Sequence, residues 1–124
     1  MSSVKTVDKW FSFFIRARDT IKKNGFCPTC GRHITFETSD CGHFLSRRFM
    51  STRWNERNAY AQCLKCNRFE NGNQYEFGLY VESLHGKQAA KSLLIESKKT
   101  AKYTKFELNE LSKYFREQYK QITK

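Results

Sequence analysis

Proline is almost missing from this 124-residue chain, with Pro28 the single example, and glycine is sparse at six residues. No Pro/Gly-rich linker, internal repeat or low-complexity tract divides it, so residues 1–124 are read as one domain. Long hydrophobic runs are also absent. None approaches a membrane span, and the start Met1-Ser2-Ser3-Val4-Lys5 lacks the apolar stretch of a secretory signal. The expectation is a cytoplasmic protein whose thiols stay reduced. Acidic residues are the last shortage: 12 against 23 basic ones, for a net charge of +11 and a pI near 9.6. Such a balance points to a polyanionic partner, with nucleic acid first and a merely solvated basic surface as the plainer alternative.

The excess is internal rather than a charged tail. Residues 44–69 carry six basic residues (Arg47, Arg48, Arg53, Arg57, Lys65, Arg68) against Glu56, and residues 87–124 carry ten against four acids. Aromatics are plentiful, with 11 Phe, 6 Tyr and 2 Trp, enough for a folded core. Helical spacing of Val7, Trp10, Phe11, Phe14, Ala17 and Ile21 predicts an N-terminal helix over 7–24, closed by Asn24-Gly25. Turn residues at 27–31 then precede an alternating run, Ile34-Thr35-Phe36, read as a short strand. His43-Phe44-Leu45 reads as a second strand, residues to about Asn58 as an Arg-rich loop, and Ala59–Gln62 as the returning strand. A helix is expected from Cys66. In the segment 73–124, Phe77, Tyr80, Val81 and Leu84 predict a helix ended by Gly86, and Ala89 to Leu94 predict another. Thr104-Lys105-Phe106-Glu107 is a capping box opening a last helix with Leu108, Leu111, Phe115 and Ile122 on one side. These helices are expected to pack the core and, in a homodimer, to pair.

Two knuckle pairs, Cys27-x-x-Cys30 and Cys63-x-x-Cys66, have the spacing of a tetrahedral zinc site. The 32 residues between the pairs exceed a simple zinc ribbon, so something is inserted between them. Cys41 lacks a knuckle partner and is read as a packed free thiol, and His33 as a surface strand residue rather than a ligand.

Beside the knuckles lie Asp40, His43, Asn58, Asn67 and Glu70. Phosphodiester hydrolysis needs a base to activate water and a divalent ion to stabilise charge on phosphate and leaving oxygen. One His with hard oxygen donors meets both needs. Alone, a Gly-His-Phe strand or an Asn after a knuckle is usually structural. Their combination is the signal.

The runs Asp40-Cys41-Gly42-His43-Phe44-Leu45-Ser46-Arg47, Asn58-Ala59-Tyr60-Ala61-Gln62-Cys63-Leu64-Lys65-Cys66-Asn67-Arg68 and Gly72-Asn73 resemble the NinG/Rap recombination proteins of lambdoid phages. So do Asp8-Lys9-Trp10-Phe11-Ser12 through Ile15-Arg16-Ala17-Arg18-Asp19 and the segment from Tyr103-Thr104 to Leu108. The likeness runs over roughly 8–120. The arrangement is also similar to endonuclease VII-type Holliday-junction resolvases. The resemblance implies an α+β fold with a zinc-stapled ββα-metal (HNH, or His-Me finger) core at 26–72 and flanking α-helices. It further implies a phage or prophage protein that cuts branched DNA in a bacterial host cell, with Zn²⁺ structural and Mg²⁺ or Mn²⁺ catalytic. By position, His43 falls at the general base, Asn58 at the Asn bracing the loop that holds it, Asn67 at a metal ligand, and Glu70 at an acid one helical turn on. Many such nucleases have an Asp or His ligand directly before the base. Here that residue is Gly42, and Asp40 is the nearest carboxylate.

The expected enzyme is therefore a metal-dependent endodeoxyribonuclease. His43 deprotonates water, Asn67 and Asp40 hold Mg²⁺, and Arg47, Arg48, Arg53, Arg57 and Arg68 contact DNA. An unperturbed His43 makes activity rise through about pH 6–7. The alternative is a zinc-stapled DNA-binding module without chemistry, and an RNA-binding or protein-bridging knuckle comes third.

Overall fold

The first helix starts earlier than the spacing from Val7 predicts. In the computed structural model, which describes residues 3–124, α1 spans Val4–Thr20, three residues ahead of Val7 and short of Asn24. Ser3 sets the start, its hydroxyl accepting the Thr6 N–H at 3.2 Å. Val7, Phe11, Phe14, Ile15 and Ala17 are buried at helical spacing, while Ile21 lies beyond the helix, 51% exposed.

The partner of α1 is the last helix, α5, Lys105–Ile122. The capping box forms as expected: Thr104 Oγ1 accepts the Glu107 N–H at 3.1 Å, and the Glu107 carboxylate accepts the Thr104 N–H at 2.9 Å. Phe115 fills the seam, 4.9 Å from Phe11 edge-on and 5.9 Å from Phe14 in a stack. Leu108, Trp54 and Ala59 complete this first core.

Between the two helices in sequence lies an antiparallel hairpin. Strand β1, Ser39–His43, pairs with β2, Ala59–Cys63, in the register Asp40↔Gln62 and His43↔Ala59. β1 therefore sits earlier than the expected His43–Leu45. Residues 34–36 form no strand. Thr38 accepts the Thr35 N–H at 2.8 Å and turns the chain there, and the pairing nearby is a single Phe26↔His33 bridge. The loop joining β1 to β2 contains a short helix, α2, Met50–Arg53.

Side-chain alternation gives the hairpin two faces. Cys41 and His43 point to α1, where Cys41 packs on the first core and His43 lies against Phe11. Asp40 and Gly42 point to the other side, with Tyr60 and Gln62. That side is covered by a π-helix at Lys65–Phe69 and by α3, Gln74–His85. The expected helix from Cys66 thus begins a residue early and is wound wide. The Gly72 N–H returns to the Cys66 carbonyl at 2.9 Å, and Asn71, Gly72 and Asn73 all have φ between 48° and 79°. Asn and Gly are the residues that accept this left-handed turn. α3 ends at Gly86 as expected, and its Phe77 and Val81 pack with Tyr60 of β2 and with Leu93 of α4, Ala89–Ser97.

The architecture is α+β: helices around one two-stranded sheet, with a four-cysteine cluster at its end. Among the described residues no helix is long and apolar enough to cross a membrane.

Candidate functional site

The four knuckle thiols come together. The Cys27 N–H bonds the Arg32 carbonyl at 2.8 Å, the Gly31 N–H returns to Cys27 O at 2.9 Å, and Gly31 takes φ 79°. That turn brings Cys30 back beside Cys27. On the other side the Cys66 N–H points at Cys63 Sγ, 3.4 Å away, at the end of β2. All four sulfurs lie within 4.8 Å of one another, and Cys30 Sγ to Cys63 Sγ is 3.7 Å. A tetrahedron with Zn–S bonds of about 2.3 Å has edges of about 3.8 Å, so the cluster has the size of a structural zinc site. No cysteine forms a disulfide. Burial opposes ionisation of Cys27, but hydrogen bonds at Cys63, Thr29 and Cys30 outweigh it and bring its thiol down to about 7. Cys41 stands outside the cluster, its thiol pushed up to about 12 by burial. His33 is exposed against Phe26 and is no part of the cluster.

His43, at the end of β1, is largely enclosed. Its Nε2 lies 2.9 Å from the Arg53 carbonyl. A carbonyl can only accept, so neutral His43 carries its proton on Nε2 and keeps the Nδ1 lone pair as a base. Burial, helped by the charges of Arg47 and Arg53 and opposed by the Arg53 carbonyl and Asp8, pulls its pKa down to about 4. The expected titration at pH 6–7 is therefore corrected: enclosure keeps the ring neutral well below that range.

Asn58 is fully buried and ties the loop after His43. Its Nδ2 donates to the carbonyls of Leu45 (3.0 Å) and Thr52 (3.1 Å), and its Oδ1 accepts the Leu45 N–H at 2.8 Å. All three carboxamide bonds are made inside the loop whose Arg53 carbonyl orients His43.

On the opposite face Asp40 and Asn67 meet. Asn67 Nδ2 donates to Asp40 Oδ2 at 2.9 Å. Arg68 also grips the carboxylate with two bonds, Nε to Oδ2 at 2.8 Å and Nη2 to Oδ1 at 2.9 Å. Burial disfavours the charged carboxylate, but Arg68 and Asn67 hold its pKa below the usual carboxylate value. The structure thus joins Asp40 to Asn67 and sends His43 to the other side of the strand. Glu70 follows the π-helix, exposed, and takes no part in that contact.

Gly42, between these groups, has no room for a side chain. A Cβ there would fall 2.2 Å from Gln62 Oε1. Gln62 is fully buried and its Nε2 donates to Thr29 Oγ1 at 3.0 Å and to the Gly72 carbonyl at 2.9 Å. It links the first knuckle to the turn that follows the π-helix.

Three of the arginines assigned to DNA pair with acids in the protein, two closely and Arg47 loosely. Arg53 is half-buried and bound to Asp8 at 2.6 Å, with Nη1 on the Arg47 carbonyl at 2.7 Å. It braces the loop. Arg68 is held by Asp40. Arg47 and Arg48 remain exposed, Arg47 only 3.6 Å from Asp8 at its nearest, and Arg57 is exposed as well.

Sequence reasoning missed Asp8. It accepts from Arg53 and from Trp54 Nε1 (2.9 Å), so it ties α1 to the loop that orients His43. It missed the Arg18–Asp19 pair too, where Asp19 Oδ2 accepts the Ala61 N–H at 2.9 Å and Arg18 Nη2 donates to the Ala59 carbonyl at 2.9 Å. Separations of 41 to 46 residues leave no local pattern to find.

A family model described as Bacteriophage Lambda NinG protein matches residues 2–124. The protein ninG of Escherichia phage lambda is 31% identical over 87 residues, 69% of this chain and 41% of that protein. The chain thus spans less than half the length of that relative. No solved structure matches.

Proposed function

Since the chain belongs to the NinG family, we propose that it is a metal-dependent DNA endonuclease of the HNH type, acting on branched recombination intermediates, with His43 as general base. One observation carries the reading: the Arg53 carbonyl, in a loop braced by Asn58, fixes the tautomer of a histidine that is neutral at physiological pH. A base in that state takes a proton at Nδ1 without first losing one.

The donors fit the metals. Four thiolates suit structural Zn²⁺, whose role is to hold the hairpin end against the first knuckle. The Asp40 carboxylate, once released by Arg68, and the Asn67 carboxamide would offer two hard oxygens to Mg²⁺ or Mn²⁺, which keep several waters and complete their shells with phosphate oxygens. When bound, that ion supplies charge stabilisation at the phosphate and leaving oxygen. The protein's own contributions are separate. His43 accepts the proton of the attacking water, Arg47, Arg48 and Arg57 attract backbone phosphates, and Asn58 with Asp8 and Arg53 keep the base aimed.

A second reading has an observation of its own. His43 and the Asp40–Asn67 pair lie on opposite faces of β1, as a zinc-stapled DNA-binding module without chemistry would permit. One experiment separates the two. Purified protein is mixed with labelled linear, forked and four-way DNA, with and without Mg²⁺. The enzyme cuts branched DNA only with the cation, and His43→Ala loses about 10²–10⁴ in rate while keeping zinc and DNA affinity. Equal cutting by wild type and His43→Ala removes His43 as the base. Tight binding with no cutting selects the module.

A further inference from the structure

Asp40 cannot serve Arg68 and a divalent cation in the same way at once. Both its oxygens are engaged by the guanidinium, at 2.8 and 2.9 Å, in the bidentate geometry that arginine and carboxylate favour. A cation held by Asp40 and Asn67 would use the same lone pairs, and its charge repels the guanidinium. The Arg68 side chain is 56% exposed while that of Asp40 is 20% exposed. The exposed partner of the pair, with open solvent to swing into, is the arginine, carried on the π-helix next to Asn67.

We infer that Arg68 is an exchangeable counterion. It neutralises Asp40 while the cation site is vacant, and it transfers to a DNA phosphate when the cation binds. This rests on the proposed role of Asp40 and Asn67, and extends it by giving Arg68 two successive partners. The chemistry matches at both ends, because a guanidinium grips phosphate with the same two-pronged geometry as carboxylate. It also explains an apparent conflict between the sequence and the fold: Arg68 belongs to a basic stretch expected to face DNA, yet it lies on an acid. An exposed ion pair is weakly held, so the exchange carries a small cost. Its consequence is that cation and DNA bind more tightly together than either does alone, because the cation releases the arginine that the phosphate needs.

The test uses Mn²⁺ titration followed by electron paramagnetic resonance on the zinc-loaded protein without DNA, and DNA binding in Ca²⁺ or Mn²⁺. Arg68→Ala should bind Mn²⁺ roughly three- to tenfold more tightly than wild type, since a weak exposed competitor is gone. The same variant should bind DNA more weakly and with a salt slope lower by about one phosphate. Asp40→Asn serves as the control for the cation site, and thermal melting with zinc content verifies that each variant is folded. Equal or weaker Mn²⁺ affinity in Arg68→Ala overturns the exchange while leaving the cation site intact. Tighter Mn²⁺ with unchanged DNA binding overturns the transfer to phosphate. Wild type and Asp40→Asn that both ignore Mn²⁺ would remove the cation site itself, and the exchange with it.

Discussion

The α1–α5 pair and the knuckle–hairpin unit hold together by different means. The helical pair is closed by stacked and edge-on aromatics, Phe11, Phe14 and Phe115, with both helix starts capped by their own residues. The buried apolar cluster of the knuckle unit is only Cys27, Ile34, Ala61, Cys63 and Cys66, and three of those five are thiols. A core that small contributes little against the ordering of the loops around it, and a metal held by its thiols would supply the difference. One region spends hydrophobic area and the other gathers four thiols around a site of metal size, so they should respond to different perturbations.

Metal removal is expected to give the largest effect. Apparent binding free energies of structural zinc sites reach about 10–16 kcal/mol and act as folding free energy. Chelation or Cys63→Ser should unravel residues 26–38 and the π-helix, read as lost amide protection there. A zinc-free protein with full protection of both regions would mean that the thiols are structural without metal.

Phe115→Ala comes next, at about 3–5 kcal/mol for a buried aromatic. Its loss should be read in the melting of the α1–α5 pair while zinc stoichiometry stays whole. Zinc released in step with that melting would show the two regions to be one cooperative unit.

The smallest of the three is a pH effect on the hairpin face that α1 covers. Enclosure takes His43 from an unfolded value near 6.5 to about 4 in the fold. Between those values the unfolded chain binds the proton more readily, so stability is whole above about pH 6.5 and falls as pH drops toward 4. The full shift corresponds to about 3 kcal/mol. His43→Gln should flatten that part of a denaturation profile, and an unchanged profile would place the acid sensitivity in other groups.

The same contrast governs how much could be read in advance. The helix ends were legible where the signal was local, in the Thr104–Glu107 box and at Gly86. Both knuckle pairs were legible because ligand spacing is set by coordination geometry. Thr35 and Thr38 defeated the alternation of residues 34–36, since a side-chain turn competes there with strand pairing. The start of α1 lies one turn before Val7, where Val4 continues the apolar stripe at i−3 and the Ser3 cap sets the first residue. Arg53 read as a surface charge, and nothing near it in the chain announced Asp8.

The residues alone therefore determined the four clustered thiols, the hairpin bracketed between them, the caps of the last helix and the family likeness, since each depends on neighbours close in the chain. Only the tertiary structure decided which face of β1 each candidate occupies, that Asp40 is held by Arg68, and that His43 is neutral because it is enclosed. Those outcomes depend on α1 and the π-helix closing over opposite faces of one short hairpin. Burial and ion pairing between segments so far apart in the chain exist only once the chain has folded.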